Sequence, residues 1–283
     1  MSSAISTEQV MSLRNQTGAG IMDCKAALKE AEGDMAKAVE ILRKKGIAGL
    51  AKRAGRTMKE GLVEIKFSAD KCAIAEINCE TDFVAKNPDV KKFAQDLVSS
   101  MLTDASLANP AESESAKEKL QNLAMKTGEN MIIRRGTVLN ISSDSVLGSY
   151  VHTDFKKAAL VELSFSGDSS KKEAVLSLAK DLAMQCVAMA PKWLNKEDVP
   201  AEVIEKEKEI YKATPQAQGK SEVALSKMLE GRIKKFYEES CLNEQAFIRD
   251  QKVKIADLIK VKAQEFGGSL SIKRFVCYMV GVE

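Results

Sequence analysis

The stretch Lys71–Cys79, KCAIAEINC, has a second version at Lys157–Phe165, KAALVELSF: lysine, alanine, an aliphatic, glutamate and another aliphatic recur in register. Both are short, mostly apolar and flanked by turn residues, which marks buried strands and not helices. Ahead of the first copy, GLVEIKFS and the turn at 68–70 complete a hairpin. Behind it, Asn87 and Pro88 supply the cap and first-turn proline of an amphipathic helix, DVKKFAQDLVSSML. The helix recurs as well, since FAQDL (93–97) lies over LAKDL (178–182) at nearly the same offset, and Val146–His152 supplies the second leading strand. A strand, strand, helix unit used twice predicts an α+β fold with a duplicated core and antiparallel sheets.

The copies differ at one corner. In NCETDFVAKN (78–87), Asp82 falls opposite Asp168, but Phe83 falls opposite Ser169 in the plain polar turn SGDSSKK. An architecture that needed an aromatic here would need it in both copies, so Phe83 is read as an addition to the first. Thr81 can cap a short helix, placing Asp82 and Phe83 at an exposed helix start where the positive dipole end favours the aspartate.

Outward from the core, residues 1–46 contain three helical patterns: about Ser6 to Gln16, Met22 to Ala31, and Asp34 to Lys45. They are separated by Thr17-Gly-Ala-Gly20 and Gly33-Asp34 and ended by Gly46. Val10, Leu13, Met22, Ala26, Leu28, Val39 and Leu42 are their expected core, enough for a recognition module but not for a catalytic domain. Residues 47–60, with Lys52, Arg53, Arg56 and Lys59, read as a linker and a solvated tether. The core then divides into 61–140 and 141–283. Within the second part, 197–240 shows narrow apolar stripes (Val203, Ile204, Ile210, Tyr211; Leu225, Met228, Leu229, Ile233, Phe236) on two helices joined at 214–220, an antiparallel helical hairpin. A helix from about Lys252 to Glu265 and the strand SLSIKRFVCYMV close the chain and should rejoin the core sheet.

Composition narrows the function. The 283 residues are 45% hydrophobic and 29% charged, with 43 basic against 40 acidic side chains. A net charge of +3 does not make nucleic acid the leading partner. Six scattered cysteines form no CxxC pair and suit a reducing cytoplasmic compartment. The N-terminus lacks a signal-peptide pattern, and no run of 18 apolar residues suggests a membrane span. Gly219-Lys220-Ser221 is no phosphate loop, because Thr214 stands where the loop needs glycine and a helix precedes it. Gly18-Ala19-Gly20 lacks both the third glycine, replaced by Asp23, and a leading strand. His152 is the single histidine, which excludes a multi-histidine metal site and reads first as structural. The carboxylates follow helical charge patterns, with no acid pair framed for proton transfer. The residues thus point to no catalytic site, no cofactor and no metal ligands.

With these motifs in view, the chain resembles the bacterial translation elongation factor Ts family over essentially its whole length. The likeness is carried by LRNQTGAGIMDCKAALKEAEGDMAKAVEILRKKG near the N-terminus, INCETDFVAKN, GENMIIRRG, LGSYVH and MLEGRIKKF, in order. The resemblance implies a ubiquitin-associated-like three-helix domain, a duplicated α+β core and a coiled-coil hairpin. It also implies a cytoplasmic guanine-nucleotide exchange factor, without covalent chemistry, that binds elongation factor Tu and neither nucleic acid nor membrane. By that likeness Thr81, Asp82, Phe83 and Val84 dislodge Mg²⁺ from the partner's nucleotide site. Arg14, Ile21, Met22 and His152 match partner contacts, with Ile21 a conservative departure from methionine. Two other classes compete with this expectation: a passive adaptor, which would bind GDP-loaded and empty partner equally, and an RNA-binding module built on residues 43–59, whose affinity would fall steeply with salt.

Overall fold

The computed structural model describes residues 5–53 and 55–282, without the side chains of residues 47 and 50–53, so the expected linker charges Lys52 and Arg53 lie outside the described groups. The chain divides into two compact units. The first runs up to Asn140 and adds Asp154–Lys156 and the residues from Met279. The second holds Ile141–Thr153 and Lys157–Tyr278.

The first unit begins with α1 (Thr7–Thr17), α2 (Ile21–Glu30) and α3 (Met35–Arg53). A reciprocal capping box between Ser6 and Gln9 starts α1, and Gly18, at φ 71°, ends it in the left-handed conformation that glycine adopts without strain. Val10, Leu13, Cys24, Ala27, Leu28, Ala31, Ala38 and Leu42 form the core of the three helices. Two expected core positions face out instead: Met22 is 75% exposed and Ala26 is exposed. On α2 the inward face is Cys24, Ala27, Leu28 and Ala31, the i, i+3, i+4, i+7 row, and Met22 and Ala26 lie off it.

The sheet follows as β1 (Glu60–Phe67) and β2 (Lys71–Cys79). The four-residue α4 (Asp82–Ala85), α5 (Pro88–Thr103) and α6 (Glu114–Thr127) lead to β3 (Met131–Asn140). Strand order is β1-β2-β3, all antiparallel, with Glu64 opposite Ala75 and Glu76 opposite Arg135. One face carries Ala73, Ala75, Ile77 and Cys79 against Val90, Ala94, Leu97, Val98 and Met101 of α5 and the apolar side of α6. The residues of β2 that alternate with these, Cys72, Ile74, Glu76 and Asn78, are buried too.

Gly46 does not end the third helix, which continues to Arg53 and takes up much of the expected linker. The position where a Cβ would stand on Gly46 is filled by the Met125 side chain of α6. Glycine is there for close helix packing, and Arg43 adds an ion pair to Glu118 of α6 at 2.6 Å.

The second unit contains β4 (Ser145–Val151), β5 (Lys157–Ser166), α7 (Lys172–Met189), α8 (Ala201–Lys212), α9 (Glu222–Ser240), β6 (Ala246–Phe247), β7 (Asp250–Lys254), α10 (Ile255–Glu265) and β8 (Ser269–Met279). The sheet order is β4-β5-β8, so the last strand does rejoin it. Ala159, Val161, Leu163 and Phe165 pack against Leu178, Ala179, Leu182 and Cys186 of α7, the counterpart of α5. At Gly148 of β4 a side chain would collide with the backbone of Ala179 and Lys180, so this strand lies directly on its helix. Helix α10 starts later than expected because Lys252–Lys254 belong to the small β6–β7 hairpin. Among the described residues of helices α8 and α9 only Ile233 is buried, and Ile210 points outward, which makes the seam narrow.

The repeated glutamate has the same surroundings in both copies. Glu76 is fully buried and accepts a hydrogen bond from Arg135 Nε at 2.7 Å, with Arg134 at 3.9 Å. Glu162, also buried, meets Lys273 at 3.0 Å and Arg274 at 2.6 Å. Each sheet thus closes a central-strand carboxylate with two adjacent basic residues from its third strand. The architecture is α+β with antiparallel sheets.

Candidate partner-binding site

Strand β2 hands the chain to Glu80 and Thr81, and the turn that follows is pinned from a distance. Thr81 is extended (φ −127°, ψ 156°), and its hydroxyl oxygen accepts from Val84 N at 3.4 Å, which caps α4. The same hydroxyl donates to Glu129 Oε1 at 2.6 Å, while Glu129 Oε2 accepts from Thr81 N at 3.0 Å and from Glu80 N at 3.2 Å. Glu80 reciprocates: its Oε1 accepts from Asn130 N at 2.8 Å, and its Oε2 meets Arg56 Nη1 at 3.0 Å. Two carboxylates therefore clasp the end of β2 to the start of β3. Glu129 is aimed there because Gly128, at φ 75°, turns the chain out of α6 just before it.

On this mount the α4 side chains diverge. Ala85 is buried and Val84 packs on the sheet core, whereas Phe83 projects with 82% of its surface exposed. Asp82 accepts from Lys86 Nζ at 2.7 Å. That hydrogen bond holds its carboxyl below the usual aspartate range, and the charges of Lys86 and Lys156 act in the same direction against a burial effect. The buried Cys79 thiol below is pushed up to about 12, first by burial and then by the Glu129 and Glu60 carboxylates. The corner thus presents an aromatic ring beside an ionised aspartate.

Arg14 lies exposed in the last turn of α1, and Ile21 and Met22 lie exposed in the first turn of α2, on either side of the loop 18–20. These three and Thr81–Val84 belong to the first unit. His152 follows β4 in the second unit, half-buried, with its backbone N donating to Lys157 O at 2.8 Å. Among the described residues no group of three or more His, Cys, Asp or Glu side chains could hold a metal, and no helix is long and apolar enough to cross a membrane.

Sequence reasoning assigned no role to Glu129, Glu80 or Phe155. Glu129 sits in a motif that carried the family resemblance, GENMIIRRG, but its partner Thr81 is 48 residues away and no local pattern links them. Arg56 was read as part of a solvated tether and is in fact held by Glu80. Phe155 had a signal in the sequence: Thr-Asp-Phe is written twice, at 81–83 and at 153–155.

The family model described as "Elongation factor TS" matches residues 80–282, beginning at the clasp. Curated relatives named "Elongation factor Ts" include those of Clostridium botulinum (strain Alaska E43), 42% identical, and Nautilia profundicola, 41% identical, each covering 98% of this chain and 93% of the relative. That of Chlorobium phaeobacteroides is 40% identical and covers 99% of both chains.

Proposed function

The chain belongs to the elongation factor Ts family of translation elongation factors, and from that premise we propose that it binds elongation factor Tu·GDP and drives exchange of GDP for GTP. The observation that carries this reading is the exposure of Phe83 on a turn whose next two side chains, Val84 and Ala85, pack inward. A free protein gains nothing by holding a phenyl ring in water on a turn fixed by so many hydrogen bonds. A ring so mounted is suited to enter another molecule.

A GDP·Mg²⁺ site depends on backbone amides cradling phosphate and on a metal that tolerates little departure from octahedral geometry. Burial of the Phe83 ring contributes about 1.5–3 kcal/mol. If the receiving pocket opens only when the metal and phosphate site is displaced, that energy is coupled to nucleotide release. Asp82, ionised and next to the ring, reinforces the shift through the partner's polar groups, and Thr81 and Val84 hold both in place. Arg14, Ile21, Met22 and His152 supply the remaining partner contacts in this reading, with the helices of residues 1–46 as a recognition module. Coupling is reciprocal: the factor weakens GDP, GDP weakens the factor equally, and incoming GTP displaces it. No covalent bond changes, and the setting is the cytoplasm.

The test is release of labelled GDP from elongation factor Tu. Wild-type protein should accelerate it at substoichiometric amounts. Phe83→Ala, whose exposed ring contributes little to folding, should fold normally and be slower by about tenfold to a hundredfold, the rate equivalent of the lost burial. Unchanged release by the variant would remove the wedge, and equal affinity of the wild type for GDP-loaded and empty partner would leave only a passive adaptor.

A further inference from the structure

The second Thr-Asp-Phe places its ring on an unusual backbone. Phe155 has φ 60°, in the left-handed region that glycine enters freely and a bulky aromatic rarely does. The fold uses the backbone at this point: Phe155 O accepts from Val63 N of β1 at 2.7 Å, and Asp154 Oδ1 accepts from Lys156 N at 2.9 Å. Any residue would supply that carbonyl, and glycine would supply it without strain. The ring itself belongs to no buried cluster and is 44% exposed. The fold therefore does not account for an aromatic side chain here, and a strained residue kept where glycine would fit points to function.

The ring's neighbours say which function. Phe155 belongs to the same compact unit as Phe83. Lys91, from the first turn of α5 directly after the wedge helix, places its ammonium 5.5 Å from the ring centre and pairs with no acid among the described residues. Lys156 forms an ion pair with Glu60 at 2.5 Å and lies close enough to Asp82 for each charge to act on the other. Phe83, Asp82, Lys156, Phe155 and Lys91 thus form one continuous surface of two rings among charges.

We infer that Phe155 is a second aromatic anchor on this surface, docking against the GTPase that receives Phe83, at an apolar spot with an acidic rim facing Lys91. The inference rests on the proposed exchange function but concerns affinity, not nucleotide release. Phe83 acts by entering a pocket that must open, whereas Phe155 adds contact area that is the same whether GDP is bound or not. It therefore tightens the complex without changing the preference for the empty partner.

The experiment compares Phe155→Gly with Phe83→Ala and wild type. It measures melting temperature, affinity for nucleotide-free elongation factor Tu by calorimetry, and GDP release at saturating factor. Phe155→Gly should melt within about 2 °C of wild type or higher, since the backbone strain is relieved. It should bind about five- to tenfold more weakly and release GDP at the wild-type saturated rate. Phe155→Tyr, which keeps the ring, should bind within about twofold of wild type. Wild-type affinity for Phe155→Gly overturns the inference, and so does a fall in its melting temperature of more than about 4 °C, which would make the ring a structural prop. If Phe83→Ala slows release while Phe155→Gly binds normally, only this inference fails. If Phe83→Ala also releases GDP normally, the exchange reading itself has failed.

Discussion

Glu129→Ala removes the acceptor on which three hydrogen bonds of the wedge turn converge, and the consequence can be worked out from the geometry. Thr81 Oγ1, Thr81 N and Glu80 N all donate to this carboxylate, at 2.6, 3.0 and 3.2 Å. A hydrogen bond to a charged group contributes about 1.5–3 kcal/mol in a dry setting. These are part-buried, and water can replace the carboxylate at the two amides, so the net loss for the turn is about 2 kcal/mol. That shifts the balance between the seated and the released turn by about thirtyfold. Only the seated form presents Phe83 correctly, so the apparent affinity for the partner falls with the seated fraction, by up to about thirtyfold. Once bound, the partner holds the turn seated and the ring is intact. In a stopped-flow titration of GDP release, Glu129→Ala should therefore raise the half-saturating concentration and leave the plateau rate near wild type. Phe83→Ala should lower the plateau instead, and the double variant should have the plateau of Phe83→Ala. Far-UV circular dichroism must show an unchanged fold. A Glu129→Ala curve superimposable on wild type, or one with a reduced plateau at unchanged half-saturation, would refute the positioning argument.

Two further outcomes concern the repeated carboxylate. Arg135→Met leaves buried Glu76 with only Arg134, 3.9 Å away, and should cost about 3 kcal/mol in urea unfolding, the low end for breaking a buried pair because one cation remains; a loss below about 1 kcal/mol would mean the carboxylate is not held as an isolated charge. Burial raises the Glu162 pKa, but hydrogen bonds from Ser145, Lys273 and Arg274 outweigh it and leave the group below its ordinary value of 4.5. The stability it contributes is complete above that value and is lost as pH falls through the lower folded value, so Glu162→Gln should flatten the acid limb of the stability profile below the ordinary glutamate value; an unchanged acid slope would contradict this.

The duplicated core was legible because each copy repeats residues whose chemistry is forced by position: apolar residues on the helix-facing side of the strand and a glutamate that needs a basic partner. The third strand of the first sheet was not read, although Arg134 and Arg135 stand in the quoted GENMIIRRG as plainly as Glu76 stands in β2. Their relation is a pairing between strands far apart in sequence, and no local period reveals it. Gly46 misled for a related reason. Glycine ends helices when it provides a left-handed cap, but here its missing side chain makes room for Met125 of a helix that had not been read. Met22 was assigned both to the core and to the partner surface, and its 75% exposure overturns the first assignment.

The divergence of the two corners follows from one residue. In the second copy Asp168 caps a short 3-10 turn, Ser169–Lys171, that runs straight into α7, so every side chain there joins one continuous helix start. In the first copy Pro88 intervenes. Proline cannot donate a backbone hydrogen bond and pushes the residue before it out of the helical region; Asn87 accordingly sits at φ −60°, ψ 132°. Helix α4 cannot merge with α5 and remains a separate turn, which must be fixed by other means. Ala85 and Val84 fix it from below, and Glu129 fixes it from the side. With those directions taken, two side chains of the turn remain: Asp82, held by Lys86, and Phe83, which faces solvent. The proline that splits the helix start in this copy is therefore what turns a structural corner into a projecting aromatic, and the clasp is what keeps the ring from swinging back onto its own sheet.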